Sequence, residues 1–245
     1  MALFDLALGA LTVLLATSAG SFAVLFLKGV GRKGNSAMLA FAAGVMAYSA
    51  VEMLNQSHHS SGDIVMLAGF LAGIVAIYLG ERALPHIHRH IRKKDLADEK
   101  KKALLIAGTI TIHNLPEGFA IATAFAASTP LGWFVTTSIA LQDIPEGTLV
   151  SAPLNYYGMS SGRSIFYGIF SGVAEAAAAV LGYLFLSSFS ALVPGALAFS
   201  AGAMIYVVFV ELMPDAMENR MERLAALCFI AGAAVAFAIA SLLAV

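Results

Sequence analysis

Charge is what this 245-residue chain has least of. Only 12% of its residues are Asp, Glu, Lys or Arg, about half the fraction usual in soluble domains. A soluble fold of this size needs far more charge to cover its surface, so the composition excludes a cytosolic enzyme and a disordered chain. The formal net charge is −1. That leaves no basic footprint for DNA or RNA, and no nucleic-acid partner is expected. Cys228 is the one cysteine, so no internal disulfide staples the fold. No Gly-x-x-x-x-Gly-Lys-Ser/Thr run occurs, so the chain carries no phosphate loop of its own. What it has in excess is apolar surface: 60% of residues are hydrophobic, and the mean hydropathy is +0.85.

A membrane helix needs roughly 20 mainly apolar residues. Eight stretches qualify, at about 4–27, 36–54, 64–84, 103–127, 131–151, 164–187, 194–213 and 224–244. Short polar gaps separate them and no barrel-like alternation is seen, so the expected fold is an all-α integral membrane protein with eight transmembrane helices. The first stretch has Asp5 as its only early charge and no basic leader, so it reads as a span rather than a signal peptide. All 14 Lys and Arg residues fall in the odd-numbered connections, hence on one side. The positive-inside rule makes that side cytoplasmic and puts both termini extracellular or periplasmic. Residues 85–102 form a cytoplasmic loop within one transmembrane domain, 1–245. Its His86, His88 and His90 are either part of a solvated linker or a weak metal-capturing set.

The chain carries an internal repeat. Ala40-Phe-Ala-Ala-Gly-Val-Met-Ala-Tyr48 in span 2 matches Ala198-Phe-Ser-Ala-Gly-Ala-Met-Ile-Tyr206 in span 7 at six of nine positions. Val51-Glu52 and Val210-Glu211 come next, with one extra residue before the pair in span 7. Span 2 runs outward and span 7 inward, which implies inverted repeats in a 3+2+3 arrangement around spans 4 and 5. Gly69-x-x-x-Gly73 in span 3 and Gly168-x-x-x-Gly172 in span 6 offer small faces for close packing.

The central pair carries two related hexapeptides, His113-Asn-Leu-Pro-Glu-Gly118 and Gln142-Asp-Ile-Pro-Glu-Gly147, and span 6 adds Glu175. All lie near mid-span. An ionised acid at the bilayer centre costs ~2.5–3.5 kcal/mol on insertion scales, so Glu117, Asp143, Glu146 and Glu175 together would cost roughly 10–14 kcal/mol. No Lys or Arg lies in a span core, so protons or metal cations must neutralise them. His113 and Glu117 are four apart and Asn114 and Glu117 three apart, so they share a helix face, and Gln142, Asp143 and Glu146 repeat the spacing. Imidazole with carboxylates suits zinc, iron and their neighbours, whereas the all-oxygen set is harder. Pro116 and Pro145 weaken the backbone at Ile112 and Leu141 beside the acids.

Other residues are less specific. Met46 and its mate Met204 read as core filler or as soft ligands. Glu52, His58, His59 and Asp63 form either a solvated loop or an entrance that gathers cations. Glu211, still within the apolar run, is the candidate exit residue, while Asp215, Glu218 and Glu222 read as a solvated helix end.

Eight spans with His-Asn-x-Pro-Glu-Gly on the fourth and Gln-Asp-x-Pro-Glu-Gly on the fifth resemble the ZIP (Zrt/Irt-like) metal-ion transporters. The Gln-Asp form resembles their GufA-type prokaryotic branch. The resemblance implies uptake of Zn²⁺, and also Cd²⁺, Fe²⁺ or Mn²⁺, across the cytoplasmic (inner) membrane. The metal is then cargo, and no prosthetic group or catalytic residue is expected. A binuclear site is implied. One ion would meet His113, Glu117, Gln142, Asp143, Glu146 and Met46, the other Asn114, Glu117, Asp143, Glu146 and Glu175. Partners would be the metal ion and the lipid bilayer, with a homodimer left open. Two rival readings use the same carboxylates: a proton-coupled metal exporter, and an intramembrane di-metal enzyme.

Overall fold

The computed structural model of the protein describes residues 2–26, 31–83 and 99–245, with the side chains of 3–26, 31–80, 82, 113–218 and 220–245. His86, His88, His90 and most of the basic 85–102 loop lie outside the described residues. Among the described residues all regular structure is helical. The long elements are α1 (Ala2–Phe22), α2 (Arg32–Ser61), α3 (Asp63–Ala83), α4 (Glu99–Ala127), α5 (Thr129–Tyr156), α6 (Ser161–Ser188), α7 (Val193–Val207) and α8 (Glu222–Leu243). A π-helical segment, Val208–Leu212, and a last turn, Met213–Ala216, extend α7.

Several helices outrun the apolar stretches that announce them. α2 begins at Arg32 and ends at Ser61, and α4 begins at Glu99. Polar residues at a helix end keep helical geometry once the interior has nucleated it. Gly62, at φ 78°, ends α2 and lets α3 start at Asp63. Pro116 and Pro145 leave α4 and α5 helical throughout, although neither can donate to the carbonyl of Ile112 or Leu141. Six helical segments among the described residues are long and apolar enough to cross a membrane. α5, which carries the second hexapeptide, is not among them. The six show apolar side chains outward, such as Ile64 and Leu242 at 84% and 85% exposure, so the outer surface is suited to lipid rather than water.

The packing follows the repeat. α2 pairs with α8 and α3 with α7, and likewise α1 with α5 and α4 with α6. Phe-x-x-Gly recurs on four helices: Phe41/Gly44, Phe70/Gly73, Phe199/Gly202 and Phe229/Gly232. A Cβ at Gly44 would run into the Phe229 carbonyl, and one at Gly232 into the Phe41 carbonyl. Gly73 and Gly202 meet the Phe199 and Phe70 carbonyls in the same way. Only a hydrogen at these crossings lets the backbones touch, which is how helices gain van der Waals contact where lipid removes the hydrophobic drive. α2 and α7 run antiparallel. Ser36 Oγ donates to the Ala216 carbonyl at one end (2.6 Å), and Ser57 Oγ to that of Pro194 at the other (2.7 Å).

Candidate metal site

The site residues come from three helices that cross behind this frame. Asn114 and Glu117 on α4, Gln142, Asp143 and Glu146 on α5, and Glu175 on α6 are all buried, and none is more than 8% exposed. The i, i+3, i+4 spacing turns each hexapeptide's polar residues to one face, and the contact between α4 and α5 brings the two faces together. One carboxylate oxygen from each of Glu117, Asp143 and Glu146 lies within 4.8 Å of the others. Gln142 Nε2 donates to Glu117 Oε1 at 2.6 Å, and Asn114 Nδ2 to Glu175 Oε2 at 3.5 Å.

The atoms left over identify the chemistry. Asn114 Oδ1, Glu117 Oε2, Gln142 Oε1, both Asp143 carboxylate oxygens and Glu175 Oε1 are buried without a hydrogen-bond partner. Both amide NH₂ groups already reach a carboxylate. Each of these six orphans is therefore an oxygen, an acceptor with nothing to accept. Buried polar atoms normally find partners. Six orphaned amide and carboxylate oxygens, with neither amide donor orphaned, form a set of acceptors whose chemistry suits a cation.

His113 and Glu211 join this region from its edge. His113 Nε2 lies 2.9 Å from Glu211 Oε1, with side chains 18% and 9% exposed. Glu211, the candidate exit residue, thus lies against the first residue of the α4 hexapeptide. The extra residue in span 7 is accommodated as the π-helical segment Val208–Leu212, which contains Glu211. Such segments are rare and recur at functional sites.

The expected entrance group is divided. Glu52 is half-buried and accepts a hydrogen bond from Tyr48 Oη at 2.6 Å. His58, His59 and Asp63 are exposed. His58 Nδ1 meets Asp63 Oδ1 at 2.9 Å, and the His58 and His59 rings lie 5.6 Å apart. Glu52 is six residues before His58, about 9 Å along the helix. Met46 is 2% exposed within the main apolar cluster, where a thioether packs as readily as it ligates. Asp215, Glu218 and Glu222 are exposed, and Cys228 is half-buried. Sequence reasoning missed the His113–Glu211 contact, which the one-residue offset in the repeat does not announce. It also missed Thr17 of α1, whose buried side chain faces Asp143.

Fold and site together define a multi-pass helical membrane protein with a buried cluster of acids and amides between its central helices. The family model described as ZIP Zinc transporter matches residues 92–240. "Zinc transporter GufA" of Myxococcus xanthus is 33% identical over 220 residues, covering 85% of this chain and 87% of that one. "Zinc transporter ZupT" of Akkermansia muciniphila is 31% identical over 242 residues, 89% and 90% of the two chains. A longer Arabidopsis thaliana protein named for zinc transport is 32% identical over 182 residues, and this chain spans 29% of its length. The chain belongs to the ZIP family, in its GufA-type branch. It is therefore a metal-ion transporter and not an enzyme, which removes the di-metal enzyme reading.

Proposed function

We propose that this protein takes up divalent transition metal, Zn²⁺ foremost and also Cd²⁺, Fe²⁺ and Mn²⁺, across the inner membrane into the cytoplasm. The observation that carries the reading is the convergence of Glu117, Asp143 and Glu146 oxygens within 4.8 Å, surrounded by orphan acceptors. The names of the relatives, all zinc transporters, supply the metal. Two ions share the site. One takes His113, Glu117, Gln142, Asp143 and Glu146, with Met46 nearby. The other takes Asn114, Glu117, Asp143, Glu146 and Glu175, so Glu117, Asp143 and Glu146 bridge. Four carboxylates and two divalent ions balance in charge.

The site is served by alternating access across eight spans, with both termini outside and the basic loop 85–102 in the cytoplasm. The antiparallel packing of α2 and α7 supports the inverted-repeat arrangement. Metal approaches past His58 and His59, loses most of its water, and binds at midplane. Release inward passes Glu211, whose contact with His113 gives the histidine a second partner when metal leaves. An inside-negative potential favours inward movement of a divalent ion by ~4.6 kcal/mol per 100 mV.

The test is uptake of labelled Zn²⁺ and Cd²⁺ into proteoliposomes across an imposed potential, for wild type and Glu117→Ala. Saturable inward flux in the wild type alone is expected. Flux only against the potential and with a proton gradient would assign an exporter. Flux in both proteins would remove Glu117 from the site.

A further inference from the structure

We propose that the Thr17 hydroxyl is a neutral oxygen ligand for the transported divalent cation, filling on α1 the place that Glu175 fills on α6. The proposal rests on the metal site proposed between α4, α5 and α6 and extends it to a helix that has contributed no ligand to it.

The crossings of the four central helices carry the argument. Gly118 and Gly147 end the two hexapeptides. A Cβ at Gly118 would run into the Glu175 carbonyl and lie 3.0 Å from the Ala179 nitrogen. A Cβ at Gly147 would run into the Thr17 carbonyl and lie 3.0 Å from the Ser21 nitrogen. The same pair of atoms, four residues apart, meets the same glycine of each hexapeptide. Thr17 therefore stands to the α5 hexapeptide as Glu175 stands to the α4 hexapeptide. The side chains repeat the correspondence of the backbones. Glu175 accepts from Asn114, the second residue of its hexapeptide. Thr17 faces Asp143, the second residue of the other.

The hydroxyl is oriented for a cation. Thr17 is 1% exposed, and its Oγ1 donates its single proton to the Val13 carbonyl at 2.9 Å. Two lone pairs remain. The proton can turn to the Val13 carbonyl or to Asp143, and while it stays on Val13 the free lone pairs and the Asp143 oxygens form a set of acceptors that a cation can bridge. Ser171, one turn before Glu175 and fully buried, adds another unpartnered hydroxyl on α6, and a Cβ at the adjacent Gly172 would lie 3.0 Å from that of Thr17. A hydroxyl in place of a second Glu enlarges the oxygen set without adding charge, which suits harder divalent ions better than imidazole or thioether does.

The experiment is Zn²⁺ titration of the purified full chain in detergent, read by calorimetry for wild type, Thr17→Val, Thr17→Ser and Thr17→Ala, with thermal unfolding measured beside it. Two equivalents are expected in the wild type. Thr17→Val should weaken the second equivalent by about tenfold, the scale of one polar contact to a charge, and leave the first unchanged. Thr17→Ser should bind like wild type. Should valine disturb the packing, the Ser and Ala variants differ by the hydroxyl alone, and the same tenfold gap between them is expected. Equal binding by all four variants overturns the proposal, and so does an equal loss in Ser and Val, which would make the packing of this crossing responsible instead of the hydroxyl. A wild type that binds no Zn²⁺ overturns the metal-site reading, and Thr17 with it.

Discussion

α2 and α7 carry the same nine-residue motif and end in the same Val-Glu pair, yet their acids do different things. Glu52 lies four residues after Tyr48 on a regular helix and accepts its hydroxyl proton at 2.6 Å. Glu211 lies five residues after Tyr206, and the π-helical segment takes up the extra residue. The wider turn keeps the rest of the helix in phase, and Glu211 Oε1 lies 2.9 Å from His113 Nε2. The glycine crossings of the two helices stay alike, Gly44 on Phe229 and Gly202 on Phe70. The duplication thus preserves the scaffold, while the acid of one copy pairs within its own helix and that of the other meets His113.

The comparison can be broken at several levels. The largest effect is expected at the site to which only one copy reaches: Glu117→Ala or Glu146→Ala should abolish metal uptake in proteoliposomes. Glu211→Gln should remove the charge at the His113 contact, and uptake should fall about tenfold, the scale of a lost charge-assisted hydrogen bond. Glu175→Ala should act more mildly, changing rate or the Zn²⁺ to Cd²⁺ ratio by a few-fold, since it touches one of the two ions. Gly44→Val and Gly202→Val should each cost about 1–3 kcal/mol by overpacking and lower the melting temperature equally. Unequal losses would mean the two crossings are not equivalent. Glu52→Gln should change uptake less than twofold, and an effect as large as that of Glu211→Gln would erase the distinction between the copies.

Apolarity and charge sufficed to find the helices and their order, because lipid imposes length and composition on each span. The two hexapeptides were legible because acids are rare in such helices, and their spacing fixed which side chains share a face. Three features were not legible. Tyr48–Glu52 is a local pair within one helix, so nothing beyond the spacing separated Glu52 from His58 and His59. The meeting of Glu211 with His113 joins two helices far apart in sequence, and a one-residue offset in the repeat does not announce it. Thr17 is one of several hydroxyls in apolar helices, most of which bond to their own backbone, as Ser18 and Ser49 do. Only the crossing with Gly147 sets it apart.

The central claim is that two divalent ions sit among the oxygens of α4, α5 and α6. The most direct test is a crystal of the protein grown with Cd²⁺ and measured for anomalous scattering. Two peaks are expected within the cluster, bridged by Glu117, Asp143 and Glu146, with one nearer His113 and the other nearer Glu175. Peaks confined to His58 and Asp63, with none at the cluster, would contradict it.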